Sequence, residues 1–456
     1  MKRLQHGRLT GSVHLPPSKS VALRAALIAM LAEGKSTICH YSDCADALAL
    51  LGMFDTLGVD YRHEGDTLWV QGRSWKVAES RVECGESAFL ARTLPVLLPS
   101  MGISTVVDGR GTLAQRSQTD LLAVLEVLGI PYQSEGDYLP VAVSATTLDA
   151  RVVLPPQRTS QVASGVLMAM GLTPKRVEVE NLPASSGGYL QLTLQVMRHF
   201  GVSWREAAPG NLSKPAGGVY HAAEFCCEAD WSAAALLIAG AAIGGELILY
   251  GLNPESLQPD RAILEVCRRV GIGCVFNGEA LWVRGVENAK ELRPFDYDIG
   301  GCPDLAPALA VLASLIPEES CIRGIGRLAN KESDRAQVLY EMLRNFGVDA
   351  ALGSEILRVQ GGFARVSNPP VIVNVHADHR MAMAGYLLGL FYPGEGLLSD
   401  PTCVAKSYPR FFDDVALSWQ RDAEMLWSEQ LFFRCILLLR ENRLPLRLEH
   451  PCVWVW

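Results

Sequence analysis

Apolar runs and short alternating stretches take turns along this chain, and the turn-taking repeats. A recurring piece begins with an apolar helix-period run, passes through Leu-Gly-Val or a close variant, and continues as two short alternating segments. It reads LGVDYRHEGDTLWVQG from Leu57, LGIPYQSEGDYLPVAV from Leu128, VGIGCVFNGEALWVRG from Val270 and FGVDAALGSEILRVQG from Phe346. FGVSWREAA from Phe200 is a fifth, less regular copy. The glycine falls where a helix ends and a left-handed residue fits. The EGD, NGE and GSE segments suit hairpin turns. The pattern predicts helix, C-cap and hairpin each time.

A second apolar helix and a short strand precede each piece. These helices are expected to open at Ser18, Gly85, Ser160, Ser232, Asp304 and Asp378, where small or acidic residues look like N-caps. The chain then divides into six units of roughly 50–75 residues, each βαβαββ, with the last one truncated. Capping alone explains any single opening. Six in register carry a further implication. If symmetry turns their N-terminal N–H groups into one cleft, that cleft attracts anions without needing much net charge.

The chain has 456 residues, enough for at least two domains, and a formal net charge of -8 with Lys and Arg scattered. That excludes a basic nucleic-acid footprint but not an anionic small ligand, for which a few arginines in one cleft suffice. The N-terminus has no apolar segment of the secretory kind. The longest apolar stretch, Ala233 to Tyr250, holds three glycines and is broken by Glu246, so it reads as a buried helix and a strand rather than a membrane span. Twelve cysteines without zinc-ribbon spacing suggest reduced thiols, and with no export signal a cytoplasmic protein. No metal site or cofactor motif is indicated. GIGRLAN, with Gly324 and Gly326, lacks the third glycine of a dinucleotide fingerprint. The segment 421–456, with LFFRCILLLR and PCVWVW, lies outside the repeat and receives no role.

Several short motifs point further. Pro17-Ser18-Lys19-Ser20 is followed by Arg24 in a helix; Thr159-Ser160-Gln161 and Ser186 with Tyr189 come later. Beyond them stand Lys331-Glu332-Ser333-Asp334-Arg335, Asp378-His379-Arg380-Met381-Ala382-Met383 and Lys406 in CVAKSYPRFF. In order and spacing they resemble the EPSP synthase (3-phosphoshikimate 1-carboxyvinyltransferase) family, in the manner of a divergent bacterial branch, from about Gly7 to Trp419. The resemblance implies a two-lobed, inside-out α/β barrel with three βαβαββ units per lobe. The lower lobe would take residues 1–17 and 229–420, and the upper lobe 18–228. The substrates would bind between the lobes, which then close.

The implied reaction is addition followed by elimination. The 5-hydroxyl of shikimate 3-phosphate attacks C2 of phosphoenolpyruvate while C3 gains a proton, and the intermediate then loses phosphate. This needs a base, an acid and several cations. By the resemblance, Asp304 is the base, Glu332 the acid, and Lys19 a mobile charge serving either substrate. Ser20, Arg24, Thr159, Ser160, Gln161, Ser186, Tyr189, Asp304 and Lys331 are implied on the shikimate 3-phosphate side. Arg335, Arg380 and Lys406, with Gln161, are implied on the phosphoenolpyruvate side. The bland alternatives are an N-cap for Asp304, a solvated helix carboxylate for Glu332 and surface ion pairs for the arginines. An acid working near neutral pH also needs a raised pKa, which Lys331 and Arg335 would oppose. His379 ranks second, and Asp46 is read as structural.

Some positions depart from the family. Its usual Asn-Ala-Gly-Thr segment is Cys84-Gly85-Glu86-Ser87-Ala88-Phe89 here, with Arg92 anchoring the register. A loop arginine aligns with Thr112, leaving Arg110 or Arg116 to replace it, and an asparagine of the shikimate site aligns with Arg327. The added methyl at Ala88 implies low sensitivity to glyphosate, unless Gly85 takes that place. Two other readings remain open: the transferase acting on UDP-N-acetylglucosamine, and a non-catalytic metabolite-binding paralogue. The expected partners are the two small substrates only, with no nucleic acid and no membrane, acting on a monomer.

Overall fold

Six helices in the computed structural model are apolar on nearly every side, and this decides the architecture. Trp231–Gly240 and Ala306–Leu315 are buried at every position, and His379–Phe391 at all but its last. Lys19–Leu31, Ala88–Ser100 and Ser160–Met170 are almost as enclosed. A helix without a polar face cannot lie on a surface. These helices therefore occupy the interior, and the sheets lie outside them. The structure describes residues 1–77, 79–183, 187–363 and 370–419. Ser186 and the segment 421–456 fall outside the described residues.

Three of the six sheets follow one rule throughout, and the other three vary it. A strand runs parallel to the next in the chain, which pairs antiparallel with the second strand of a hairpin. Glu79–Glu83, Ser104–Asp108, Val141–Val143 and Tyr132–Ser134 lie side by side in this way. Arg151–Val153 with Val177–Glu180, and Asp296–Asp298 with Glu319–Arg323, begin two further copies. A parallel pair needs a crossover, which the buried helix supplies. All five expected hairpins form, the fifth as Arg205–Ala208 with Asn211–Lys214. The glycines that end the preceding helices, Gly58, Gly129, Gly201, Gly271 and Gly347, have φ between +64° and +105°. A side chain there would be strained. The sixth sheet lacks a hairpin of its own. Lys2–Arg3 completes it, antiparallel to Gly396–Leu398.

Two sheets take a strand from far along the chain. Thr10–His14 pairs with Glu246–Tyr250, and Glu224–Cys226 pairs with Lys35–Cys39. As a result the buried side chains form two cores. One draws on Leu4 to Leu15 and Ala229 to Val415, the other on Val21 to Cys227. The chain passes between them twice, side by side. Pro17 bridges Ala229, the Ser18 N–H donates to the Glu228 carbonyl at 2.8 Å, and the Asp230 N–H donates to the Pro16 carbonyl at 2.9 Å. The stretch Ala233 to Tyr250 is a helix end and a strand, as its glycines imply, and no helix among the described residues is long and apolar enough to cross a membrane.

Three of the six helix openings differ from the sequence expectation. Ser18 and Asp378 are N-caps, and Ser160 is the first residue of a helix capped by Thr159. Gly85, however, lies in a left-handed turn at φ +58°, and Ser87 holds the cap position. Asp230 rather than Ser232 caps the fourth helix, because its carboxylate accepts the Ala233 N–H at 3.0 Å. Asp304 sits in the tight turn Pro303–Leu305 ahead of Ala306–Leu315 and makes no capping bond. Its carboxylate faces the cleft.

Candidate active site

Between the two cores lies a cleft of about 240 Å³. The first turns of five of the six buried helices line it, through Lys19 and Ser20, Ala88 and Phe89, Ser160 and Gln161, Pro303 and Asp304 at the approach to the fifth, and His379 and Arg380. The Trp231–Gly240 helix does not reach it. Nine Lys and Arg side chains line the cleft against four carboxylates, in a chain whose net charge is -8. A low-dielectric cleft lined in this way focuses a positive potential on small anions.

A buried ion network forms its floor. Arg335, 1 % exposed, donates from Nε to Asp378 Oδ2 at 2.7 Å, from Nη1 to Asp304 Oδ1 at 2.8 Å and from Nη2 to Glu332 Oε2 at 2.7 Å. Lys331 Nζ and Arg380 Nη2 approach Asp304 at 3.2 and 3.3 Å. Lys406 Nζ lies 3.2 Å from Glu332 Oε1, and Arg116 Nη2 lies 3.9 Å from the same oxygen. Burial works to raise the pKa of both carboxyls, but the cations win. Asp304 is held well below the usual range by Arg380, Lys331 and Arg335, and Glu332 by Arg335, Lys406 and Arg116. The balance left open by the sequence thus falls on the ionised side, and in this arrangement Glu332 holds no proton to give.

The remaining walls bring the other motif residues together. Lys19 Nζ lies 3.1 Å from Asp46 Oδ2. Burial disfavours its charge, yet Asp46 and Glu332 more than offset this and raise its pKa. Asp46 thus keeps Lys19 charged. Arg24 is buried, donates to Thr193 Oγ1 and the Ser20 carbonyl at 2.8 Å each, and stacks over Phe89 with 4.5 Å to the ring centre. Burial lowers its pKa to about 10, still cationic at neutral pH. Thr159, Ser160, Gln161 and Tyr189 line the cleft, and Arg92 Nη1 donates to Gln161 Oε1 at 2.8 Å. His379 is 1 % exposed, and neither ring nitrogen has a hydrogen-bond partner among the described residues. Burial, then Lys19, pushes its pKa well down, so it stands neutral.

The structure decides between the two loop arginines. The tight turn Gly111–Gln115 leaves Arg110 exposed and swings Arg116 into the cleft. Arg116 Nη2 donates to Thr112 Oγ1 at 2.9 Å, while its buried Nε has no partner among the described residues. Thr112 therefore orients Arg116 in the cleft. Glu86 accepts the Thr112 N–H at 3.3 Å and lies 3.7 Å from Lys406 Nζ, which ties the loop to the opposite core. Arg327 lines the cleft and donates to the Gly300 and Arg158 carbonyls, the latter at 2.8 Å, with Asn330 beside it. Sequence reasoning gave Asn330 no part, although it directly precedes Lys331.

Comparison with known proteins gives a consistent picture. The profile of the family described as EPSP synthase (3-phosphoshikimate 1-carboxyvinyltransferase) matches residues 4–415. A 3-phosphoshikimate 1-carboxyvinyltransferase of Methanopyrus kandleri is 32% identical over 421 residues, covering 89% of this chain and 95% of its own. One from Syntrophobacter fumaroxidans is 33% identical over 416 residues, covering 89% and 96%. Among solved structures, an EPSP synthase from Acinetobacter baumannii superposes with a TM-score of 0.74 at 23% identity, over 91% of this chain and 97% of its own. The enolpyruvyl transferase NikO from Streptomyces tendae superposes with a TM-score of 0.69 at 18% identity, over 91% and 96%.

Proposed function

This chain belongs to the EPSP synthase (3-phosphoshikimate 1-carboxyvinyltransferase) family and is an enzyme, and from that premise we propose how its cleft works. It transfers the carboxyvinyl group of phosphoenolpyruvate to the 5-hydroxyl of shikimate 3-phosphate, releasing phosphate, in the shikimate pathway. The observation that carries the reading of the site is the pair Asp304 and Glu332, joined through one buried arginine and ringed by cations. Binding anions alone calls for the cations. It does not call for two carboxylates among them.

In this reading Lys19, Ser20, Arg24, Thr159, Ser160, Gln161, Tyr189 and Lys331 receive shikimate 3-phosphate, and Asp304 takes the 5-hydroxyl proton. Arg380, Lys406, Gln161 and Arg116 receive phosphoenolpyruvate. Arg335, read from the motifs as part of that clamp, donates to carboxylates from all three of its nitrogens, so it acts by holding them. The depressed carboxyl pKa values give substrate binding a chemical role. When phosphate and carboxylate groups engage Lys406, Arg116, Arg380 and Lys331, those cations no longer favour the ionised forms of Glu332 and Asp304 alone. Burial then raises both pKa values, so Glu332 can carry a proton to C3 and Asp304 becomes a better base. The two cores act as lobes hinged at the paired crossings near residues 17 and 229. In this reading the enzyme acts as a monomer in a reducing cytoplasm, where the ten described cysteines stay free thiols.

A phosphate-release assay with each acceptor tests the reading. Release with phosphoenolpyruvate plus shikimate 3-phosphate, and none with UDP-N-acetylglucosamine, is the expected result. Release with neither would leave a metabolite-binding protein. Two variants test the phosphoenolpyruvate side. Arg116→Ala should raise KM for phosphoenolpyruvate roughly tenfold to a hundredfold, the size of a lost hydrogen bond to a charged group, with KM for shikimate 3-phosphate nearly unchanged. Equal effects on both would place Arg116 elsewhere. Ala88 lines the cleft, whereas a Cβ at Gly85 would point at Ala49 Cβ, 3.5 Å away. In this reading glyphosate binds on the phosphoenolpyruvate side, against a wall to which Ala88 adds its methyl, and an added carbon in a packed cleft is felt. Glyphosate should bind weakly, and Ala88→Gly should tighten it. Unchanged inhibition in that variant would remove Ala88 from the wall.

A further inference from the structure

A single tyrosine hydroxyl stands between two carboxylates at the edge of the cleft. Tyr189 Oη lies 3.1 Å from Asp260 Oδ2 and 3.4 Å from Asp304 Oδ2. A phenol has one hydrogen and donates to one acceptor at a time. If both carboxylates were ionised, one contact would set lone pairs against each other. The second contact is a hydrogen bond only when a carboxyl carries a proton. Asp304, beside Lys331, Arg335 and Arg380, is the worse place for that proton.

Asp260 is the better place. It sits in the turn Pro259–Ala262, is 2 % exposed and does not line the cleft. Its Oδ1 has no hydrogen-bond partner among the described residues. The groups that face it are Tyr189 from the helix Gly187–His199, Asp304 and Cys302 from the turn before the fifth buried helix, Arg380 from the sixth, and the capping Asp230 of the fourth. Burial raises its pKa to about 7, Asp304 and Asp230 adding to the rise and Arg380 and the Tyr189 bond opposing it.

We propose that Asp260 is the proton reservoir of the reaction, connected to Asp304 through the Tyr189 hydroxyl. This rests on the reading of Asp304 as the base. With Asp260 ionised, Tyr189 donates to Asp260 and leaves Asp304 Oδ2 open. The O–H bond of the 5-hydroxyl then breaks as an O–H bond forms on Asp304. Asp304 passes that proton to the Tyr189 oxygen while the hydrogen of Tyr189 moves to Asp260. The balance is one O–H bond lost on the substrate and one gained on Asp260. When phosphate departs, the same transfers run in reverse and the proton leaves on the phosphate. With Asp260 already protonated, it donates to Tyr189, Tyr189 donates to Asp304, and the base is covered.

The competent form has Asp260 ionised, so kcat at saturating substrates should fall as pH drops from 8 to 6, through a limb near 7. Asp260→Asn should lower kcat about tenfold, a minor share of what a directly acting base supplies, and should abolish that limb. Tyr189→Phe breaks the same path, keeps the ring packing and should also lose the limb. The double variant should be about as slow as the slower single one, because the two residues form one path. A limb that persists in both variants, or rate losses that multiply, would overturn the proposal. If Asp260→Asn fails to fold, the limb in the unmodified enzyme and its fate in Tyr189→Phe decide. Should Asp304→Asn abolish turnover while both variants keep the limb, the reservoir is wrong and the base stands. Normal turnover in Asp304→Asn would instead remove the base itself.

Discussion

Asp304→Asn should lower kcat by roughly 10²–10⁴-fold, the usual share of a general base, and should leave KM for both substrates similar or lower. The carboxylate accepts from Lys331, Arg335, Arg380 and Tyr189 at 2.8 to 3.4 Å. Asparagine keeps the size of the side chain and an acceptor oxygen, so the packing survives. It removes a negative charge from a cleft that binds anions, so the positive potential rises and ground-state binding does not suffer. Removing a group needed only in the transition state confines the loss to kcat. Steady-state kinetics at saturating substrates checks this. A variant with near-normal kcat and raised KM would mean that Asp304 orients substrate and takes no proton.

Arg335→Ala should cost about 3–5 kcal/mol of folding stability, as expected when one partner of a buried ion network is removed. Arg335 is 1 % exposed and its guanidinium is the shared counterion of Asp304, Glu332 and Asp378. Alanine leaves those carboxylates together in a buried site, with Lys331, Lys406 and Arg380 as partial compensation. Chemical denaturation at pH 7 measures the loss. The pH dependence separates this cause from a simple cavity. In the unmodified protein Asp304 and Glu332 have depressed pKa values, so the stability they contribute is present above the unfolded carboxyl pKa and is lost as pH falls. Without Arg335 their mutual repulsion raises those values. The variant should therefore recover stability between pH 7 and 5 beyond the rise that protonation of Asp260 gives both proteins over that range. A uniform deficit at all pH values would point to lost packing instead.

The hairpins were legible because two local signals coincide at each one, a helix-ending glycine and a change of period from 3.6 to 2. The six apolar helices were legible for the same reason, since uninterrupted apolar runs of that length have few places to go but the interior. Helix openings were harder to read. Asp230 and Ser232 both satisfy a capping rule, and only the position of the turn before them decides which carboxylate or hydroxyl meets a free N–H. The motif residues around Lys19, Asp304, Lys331 and Arg380 were named from the chain, and the structure sets them around one cleft. The features that escaped depend on contacts between distant segments. Arg110 and Arg116 are equivalent in sequence until the turn Gly111–Gln115 points one inward. The charge state of Glu332 is set partly by Lys406 and Arg116, which reach it from other parts of the fold. Asp260, in LQPDRAI, has no periodic signal, and an acid near a helix start normally reads as solvated.

The most direct test of enolpyruvyl transfer by addition and elimination is turnover in deuterated water, followed by proton NMR at C3. Addition makes C3 a methyl group with one hydrogen from solvent, and elimination then removes one of the three. The enzyme supplied with phosphoenolpyruvate and shikimate 3-phosphate should yield the 5-enolpyruvyl ether with deuterium in its vinyl group. Glu332→Gln should slow ether formation and deuterium entry together. An ether formed at normal rate without deuterium, or deuterium entering phosphoenolpyruvate with no acceptor present, would contradict the account.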